Sequence, residues 1–244
     1  METCREEPGT ESEAERLAPG VVRWRLPGWD ATAGAVAGAA GVLVVDTGSS
    51  LREGAWIRRR VTRLLGRRPT HVALTHAHFD HVLGTGAFAG CAVYGAAGLA
   101  GPLCEGREAV GADAVRYGAD PAAAAEAADL LVHPPRPVTG ELAVDLGGRS
   151  VLLADVGPGH TAHDLAVVVP GRPRVVFCGD LVEESGPPQA GPDALPDRWP
   201  AALDRLLALG GEDAVYVPGH GSAVDADFVR TQRDALAARF GGRG

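Results

Sequence analysis

The sequence predicts a single α/β domain, and three observations support this. Apolar residues make up 45% of the 244 residues, which is enough to build a sizeable buried core. Strand-like and helix-like segments alternate along most of the chain. Strands and helices mix too evenly along the chain to justify dividing it into two domains. We therefore expect one domain over residues 20–240, with flexible tails at 1–19 and 241–244.

The first half of the chain predicts strands joined by helices. The apolar segments Val21–Leu26 and Val42–Asp46 are typical of strands, and turn residues follow the second. Ser49 or Ser50 can cap a helix over Leu51–Leu65, which ends at a glycine. The further predicted elements are strands at His71–Thr75 and Cys91–Tyr94 and a helical region over 105–132 that breaks near 118–121.

The second half predicts two hairpins, one more strand and two helices. One hairpin joins Leu142–Leu146 to Ser150–Val156 around a glycine pair, and the other joins Asp164–Val169 to Arg174–Cys178. The remaining predicted elements are a helix at Asp197–Leu209, a strand at Ala214–Val217 and a helix at Asp225–Phe240. Two strand-rich halves, each closed by helices, indicate a layout with two sheets.

The charged residues limit the kinds of chemistry and partner. The formal net charge is −8, and all 23 basic residues are arginine. The absence of lysine excludes a Schiff-base or lysine-nucleophile mechanism. The basic run Arg58–Arg60, with Arg63 nearby, is interpreted as the solvated face of a helix, so nucleic acid is not expected as a partner.

The sequence also predicts a cytoplasmic location. Residues 1–20 lack the basic segment and apolar stretch of a signal peptide, and no window reaches the ~18 apolar residues of a membrane span. The four cysteines, which form no CxxC pair or disulfide framework, are Cys4, Cys91, Cys104 and Cys178. We expect reduced thiols, no membrane partner and a small-molecule substrate. The sequence leaves the oligomeric state open.

A dense group of metal-ligand side chains stands at residues 75–81, T-H-A-H-F-D-H. Neither a hydrophobic core nor a solvated surface requires such a group. Residues two apart in a strand point to the same side, so His76 and His78 can reach one ion together. Asp80 and His81, where the chain turns, can face a second ion. This segment by itself predicts a metal site.

Three more potential ligands, His160, Asp180 and His220, each stand beside glycines after a predicted strand. Zinc binds histidine nitrogen and carboxylate oxygen at ~2.0–2.2 Å. Seven such ligands, with one carboxylate shared, can hold two ions ~3.5–4 Å apart. The other three histidines, which we interpret as structural or exposed, are His71, His133 and His163.

These motifs together resemble the metallo-β-lactamase superfamily of metallohydrolases. The matching segments are H-x-H-x-D-H at 76–81, G-H-T at 159–161, Gly179-Asp180, P-G-H-G at 218–221 and V-V-D-T-G at 44–48. The resemblance implies a four-layer αββα sandwich with two divalent metal ions at one edge between the sheets. Zn²⁺ is the expected metal, with Mn²⁺ or Fe²⁺ as alternatives.

The resemblance also implies a role for each ligand. His76, His78 and His160 would bind the first ion, Asp80, His81 and His220 the second, and Asp180 would bridge the two. Asp46 would support the ligand loop by hydrogen bonding, although a purely structural capping role is left open. The implied reaction is attack by a metal-bound hydroxide on a small ester, thioester or lactone, with Asp80 or Asp180 relaying the proton.

Differences between this chain and other branches of the superfamily narrow the expected function. Zinc β-lactamases with a cysteine ligand carry it where this chain has Asp180, and Cys178 is interpreted as a buried filler. The chain has no lysine to hold an antibiotic carboxylate, so a β-lactamase is not expected. The ligand set is similar to the glyoxalase II-like binuclear branch, without that enzyme's C-terminal helical domain.

Two other functions and the substrate contacts stay open. A persulfide dioxygenase-like enzyme would use the same motif to hold a single iron, and a non-catalytic binding protein is the more remote alternative. The expected pocket walls are Gly186–Pro196 and Cys104–Pro135. The candidate substrate contacts are Arg107, Tyr117 and Trp199, each of which can also be packing or surface, and no substrate-binding residue is assigned.

Overall fold

The structure, a computed structural model, describes residues 13–241 and has four layers. Two β-sheets pack face to face, and helices cover the outer face of each sheet. The sequence-predicted α/β class and the αββα sandwich implied by the resemblance are both confirmed.

The first half of the chain forms the larger sheet, in which seven strands follow one another in sequence order. The strands are β1 (Glu15–Ala18), β2 (Val21–Arg25), β3 (Thr32–Ala37), β4 (Val42–Val45), β5 (His71–Ala73), β6 (Ala92–Ala96) and β7 (Arg136–Val138). The first four are antiparallel, and β4 to β7 are parallel.

The second half forms a five-stranded sheet in the order β12-β11-β10-β9-β8. Its strands are β8 (Glu141–Asp145), β9 (Ser150–Asp155), β10 (Leu165–Val169), β11 (Val175–Glu183) and β12 (Val215–His220). Both sequence-predicted hairpins are present as antiparallel pairs, whereas β11 and β12 are parallel. Each half of the chain therefore builds one sheet, as the sequence indicated.

The helices lie mainly in the outer layers. They are α1 (Leu51–Leu65), α2 (Phe79–Val82), α3 (Ala100–Cys104), α4 (Arg107–Arg116), α5 (Pro121–Asp129), α6 (Trp199–Gly210) and α7 (Ala226–Phe240). Helix α1 has its predicted bounds, because the Ser50 hydroxyl accepts the Glu53 N–H at its start and Gly66 adopts a left-handed conformation at its end. Among the described residues, no helix has the length and apolar content needed to cross a membrane.

Strand β4 shows why a continuous apolar run belongs in the middle of such a sandwich. Val42 and Val44 pack in the cluster beneath α1, whereas Leu43 and Val45 point into the cluster between the sheets. All four side chains are buried because both faces of the sheet are covered.

Strand β3 was not predicted from the sequence. Its residues, T-A-G-A-V-A, lack the bulky β-branched and aromatic side chains that mark a strand. A glycine is required at position 34 because the facing sheet is close there. A Cβ atom on Gly34 would lie 2.3 Å from Cε1 of Phe177, whose ring fills that space.

The sequence-predicted start of the domain at residue 20 is too late. Strand β1 lies within the expected tail, pairs with β2, and places Glu15 Oε2 2.7 Å from Arg23 Nε. The ordered sheet therefore begins at or before Glu15. Residues 1–12, with Cys4, and residues 242–244 lie outside the described residues, so the remaining tail assignment stays a prediction.

Candidate metal centre

All seven sequence-predicted ligands meet at one edge of the sandwich, where both sheets end. His76 and His78 lie in the loop after β5, and Asp80 and His81 lie on the short helix α2 that follows. The other three come from the second sheet: His160 after β9, Asp180 within β11 and His220 at the end of β12.

Two local expectations about these positions were wrong. Strand β5 ends at Ala73, so His76 and His78 approach each other through a loop and not through strand alternation. Asp180 lies inside a strand and not after it. The pairing of β11 with β12 is irregular between Phe177 and Gly179 and again between Gly179 and Glu183. Such irregularities re-aim a side chain, here Asp180, towards the edge of the sheet.

The first group of donors consists of His76, His78, His160 and Asp180, whose ligand atoms lie within 4.8 Å of one another. His160 Nε2 is 2.9 Å from His78 Nδ1. Asp180 Oδ2 is 3.7 Å from His76 Nε2 and 3.5 Å from His160 Nε2. Three imidazole nitrogens and one carboxylate oxygen thus surround a common point.

The second group consists of Asp80, His81 and His220. Asp80 Oδ2 lies 3.5 Å from His81 Nε2 and 3.2 Å from His220 Nε2. Asp180 reaches this group as well, because its Oδ1 is 3.1 Å from His81 Nε2 and its Oδ2 is 3.3 Å from His220 Nε2. Asp180 therefore stands between the two groups, where a carboxylate could be shared.

Outer contacts hold four of the five imidazole rings with one nitrogen turned inwards. The pairs are His76 Nδ1 with Thr75 Oγ1 at 2.9 Å, His78 Nε2 with Asp193 Oδ2 at 3.1 Å, His81 Nδ1 with Asp46 Oδ2 at 2.9 Å and His220 Nδ1 with the Trp29 carbonyl at 2.7 Å. An outer partner of this kind selects the tautomer whose other nitrogen is free to bind a metal ion.

Asp46 occupies the centre of one of these outer networks. Its carboxylate also accepts the N–H of Thr75 at 2.8 Å and the Thr75 hydroxyl at 2.8 Å. The residue has a φ of 57°, in the left-handed region that aspartate adopts more readily than most residues. Asp46 therefore connects the end of β4 to both sides of the ligand loop.

The donor set suits a cation. Among the described residues, His76 Nε2 and Asp180 Oδ1 are buried and have no hydrogen-bond partner. Leaving such atoms unpaired is costly unless another group satisfies them.

The pKa values of the five histidines shift in both directions, because burial lowers those of His76 and His160 and nearby carboxylates raise those of His78, His81 and His220. Burial lowers the pKa of His160 to about 4 and that of His76 well below its ordinary value. Burial also opposes protonation of His220, but the Asp180 charge raises its pKa to about 11. Burial likewise disfavours ionised Asp180, yet neighbouring His81 and His76 hold its pKa well below the usual range. The carboxylate is thus ionised and draws positive charge to the centre.

One glycine of the P-G-H-G segment is required by this arrangement. A Cβ atom on Gly219 would lie 1.8 Å from Asp180 Oδ1. Any other residue at this position would displace the shared carboxylate. This close approach explains why glycine precedes His220.

A cavity of about 650 Å³ opens onto both groups of donors. The sequence-predicted wall Gly186–Pro196 lines it through residues between Gly186 and Asp193. The expected wall Cys104–Pro135 contributes only Asp113, Arg116 and Tyr117 among the lining residues. The cavity is therefore bounded on one side by Gly186–Pro196, which we call the proline-rich loop, and on another by the end of α4.

The three candidate substrate contacts lie in different environments in the structure. Tyr117 lines the cavity and is 64% exposed. Trp199 is fully buried: its ring packs 5.2 Å from the His160 ring, and its N–H donates to the Leu181 carbonyl, so it has the packing role that the sequence left open. Arg107 is exposed and lies outside the residues that line the cavity.

Three residues of the cavity wall were not named individually from the sequence, although one of them, Asp193, lies within the expected wall Gly186–Pro196. Trp29 stands in the β2–β3 turn, Glu183 ends β11, and Asp193 lies in the proline-rich loop. None of them belongs to a motif, so no local pattern predicts that their side chains face the donors. Cys178, in contrast, is buried as interpreted: burial raises the pKa of its thiol, which donates to the Val176 carbonyl.

Together the four layers and the histidine and aspartate cluster define a class of metal-binding α/β proteins with a hydrolase-like fold. The sequence profile of the Metallo-beta-lactamase superfamily matches residues 26–220, so the chain belongs to this superfamily. No curated protein matches the chain.

Solved structures show the same fold at low sequence identity. A metallo-beta-lactamase from Pontibacter korlensis is 20% identical with a TM-score of 0.71, over 93% of this chain and 99% of that one. The DIM-1 metallo-beta-lactamase is 17% identical with a TM-score of 0.72, over 94% and 98%. FIM-1 from Pseudomonas aeruginosa, solved in a mono-zinc form, is 20% identical with a TM-score of 0.69, over 93% and 95%.

Proposed function

We propose that the chain is a binuclear metallohydrolase that cleaves a small ester, thioester or lactone. One observation carries this proposal. Five histidines and two aspartates direct donor atoms towards one buried edge, and outer hydrogen bonds already hold four of the histidine rings in a ligand orientation.

The two groups of donors support two ions. His76, His78 and His160 would hold one ion, Asp80, His81 and His220 would hold the other, and Asp180 would contact both. Few nitrogen and carboxylate donors favour Zn²⁺, with Mn²⁺ or Fe²⁺ as alternatives. When bound, such ions polarise a substrate carbonyl and lower the pKa of a coordinated water towards ~7.

The protein side chains supply the proton transfers. Asp80 and Asp180 are both buried and both present a carboxylate oxygen to the centre. One of these carboxylates accepts the proton that the attacking water loses and returns it to the leaving group. The outer contacts of Asp46 keep His81 in place while this happens.

A β-lactam is not the proposed substrate, although the similar solved structures are β-lactamases. The chain contains no lysine, and the one arginine among the residues lining the cavity, Arg116, pairs with Asp113 at 2.8 Å. No unpaired cation among these residues would grip a carboxylate on the substrate.

The proposed setting is the cytoplasm, with a small molecule as substrate and neither nucleic acid nor membrane as partner. Cys91, Cys104 and Cys178 are free thiols, which suits a reducing compartment. On α1, Arg58 and Arg60 are half-buried and engaged, Arg58 with the Ala87 carbonyl and Arg60 over the Trp56 ring. These arginines therefore do not form a free basic surface.

The test is a panel of one aryl ester, one thioester, one lactone and one chromogenic cephalosporin. We expect hydrolysis of at least one of the first three, loss of activity in chelator and recovery with Zn²⁺. His76→Ala or Asp180→Ala should lose at least one ion and most of the activity. His133 is an exposed histidine outside the cluster, so His133→Ala should keep the metal content and the activity of the wild type.

Two outcomes would refute the proposal. One is wild-type turnover by Asp180→Ala with its full metal content. The other is a single bound iron with oxygen-dependent oxidation of a persulfide, which would establish the dioxygenase alternative.

A further inference from the structure

Three aromatic side chains form one wall of the cavity beside the candidate metal centre. The Trp29 and Phe79 rings meet edge to face with centroids 5.2 Å apart, and the Phe79 and Tyr117 rings stack at 5.6 Å. They come from the β2–β3 turn, the ligand motif itself and the end of α4. We refer to Trp29, Phe79 and Tyr117 as the aromatic shelf.

The aromatic shelf is close to the reacting centre and open to a ligand. Phe79 stands in the chain between His78 and Asp80, two of the proposed ligands. Tyr117 is 64% exposed, so its ring is open to a ligand. Flat apolar groups stack on aromatic rings and gain more than their buried area alone provides.

The charges that line the cavity balance the two proposed ions. Four lining carboxylates, on Asp80, Asp180, Glu183 and Asp193, are unpaired with arginine in the cavity. Asp113 and Arg116 neutralise each other. Two divalent ions bring four positive charges, and Asp80, Asp180 and Asp193 bring three negative charges. Burial raises the pKa of Glu183 to about 7, so this carboxylate adds part of a fourth negative charge near neutral pH. The loaded cavity is therefore close to neutral and attracts an anion only weakly.

We propose that the cavity selects an uncharged ester, thioester or lactone that carries an aromatic or similarly flat apolar group, which lies on the aromatic shelf. This inference rests on the proposed two-ion hydrolase and names its substrate class. Substrates with a free carboxylate or phosphate are disfavoured. The cavity volume of about 650 Å³ suits a small molecule.

The first test compares three esters that share one leaving group: a phenylacetyl ester, a cyclohexylacetyl ester and a 4-carboxyphenylacetyl ester. With zinc-loaded wild-type protein, we expect kcat/KM for phenylacetyl to exceed that for carboxyphenylacetyl by about tenfold and that for cyclohexylacetyl by about fivefold. Tyr117→Ala should reduce the preference for phenylacetyl over cyclohexylacetyl by about fivefold, mainly through KM.

The variants are chosen so that folding does not decide the result. Tyr117 is 64% exposed, so its truncation removes little core packing. Tyr117→Phe keeps the ring and should keep the preference. Leu130→Ala is the matched control, because Leu130 is 53% exposed and lies outside the residues that line the cavity.

The second test measures binding without turnover. Phenylacetamide and 4-carboxyphenylacetamide are titrated calorimetrically into zinc-loaded wild type and Tyr117→Ala. We expect the uncharged amide to bind more tightly, and its affinity to fall about fivefold in Tyr117→Ala. Equal or tighter binding of the carboxylated amide, or binding that is unaffected by Tyr117→Ala, overturns the inference.

The two tests separate failure of this inference from failure of the proposed function. Hydrolysis of all three esters without aromatic or charge preference overturns the substrate class and leaves the hydrolase in place. Tyr117-dependent binding of the uncharged amide with no ester hydrolysis supports the cavity assignment and counts against the hydrolase.

Discussion

The Asp46 carboxylate lies 2.9 Å from His81 Nδ1 and holds this imidazole from the side away from the candidate metal centre. The same carboxylate accepts the N–H and the hydroxyl of Thr75, whose Oγ1 contacts His76 Nδ1. Asp46 is 2% exposed, so these contacts are shielded from water. Two proposed ligands, one for each ion, thus depend on one buried carboxylate.

Replacing Asp46 by asparagine should weaken binding of the ion proposed for Asp80, His81 and His220. The amide would present an N–H to His81 or lose its contact with Thr75, and the wrong His81 tautomer turns a protonated nitrogen inwards. We expect metal affinity to fall about 10–100-fold in a chelator competition assay. Asp129→Asn, on the exposed end of α5, is the control. Equal affinities in the two variants would show that Asp46 does not position His81.

The contact of Asp193 with His78 predicts that the proline-rich loop helps to hold a ligand. Asp193 Oδ2 is 3.1 Å from His78 Nε2, and its side chain is 52% exposed. Since this contact is open to solvent, Asp193→Ala should lower metal affinity by only about tenfold. Asp197→Ala, an exposed aspartate that follows the same loop, should leave it unchanged. The assignment fails if both variants bind metal as the wild type does.

The close approach of the two sheets predicts a loss of stability when Gly34 becomes alanine. Its Cβ atom would lie 2.3 Å from the Phe177 ring, which is fully buried. We expect the free energy of unfolding in urea to fall by about 1–3 kcal/mol. Gly186→Ala is the control, because nothing lies within 4 Å of its Cβ position. An unchanged value for Gly34→Ala would mean that the sheets separate easily at this point.

Asp164 gives the stability a defined pH dependence. Burial raises the pKa of its carboxyl to about 7, whereas an unfolded aspartate titrates near ~3.9. Between these values the folded protein keeps a proton that the unfolded chain has released. The free energy of unfolding should therefore fall as the pH rises from ~4 to ~7, by as much as ~4 kcal/mol.

Asp164→Asn should remove this contribution. The asparagine oxygen can still accept the N–H or hydroxyl of Thr161, which Asp164 accepts at 2.7–3.1 Å. Urea unfolding of the metal-free proteins at pH 5 and pH 8 should show the variant gaining stability relative to the wild type at the higher pH. A constant difference between them would contradict the raised pKa.

The sequence was most informative where local chemistry decides the structure. Helix α1 could be bounded because Ser50 and Gly66 act within one turn of its ends. The hairpin of β8 and β9 follows from a glycine pair between two apolar segments. The metal-ligand residues could be selected because histidine and aspartate seldom cluster beside glycines for any other reason.

What the sequence could not predict depends on contacts between distant segments. Strand β3 is defined by its neighbours and by Phe177, which lies far away in the chain. Trp29 and Asp193 reach the centre only because the β2–β3 turn and the proline-rich loop fold over the same edge. Trp199 has an aromatic side chain suited to a pocket, but burial against His160 gives it a packing role.

The most direct test of the central claim is the metal content of the protein purified without added metal or chelator, measured per chain by elemental mass spectrometry. Two proposed sites that share Asp180 predict about two zinc ions per chain. One iron per chain would contradict the binuclear hydrolase. No metal, even after incubation with Zn²⁺, would show that the seven converging side chains are not a metal centre.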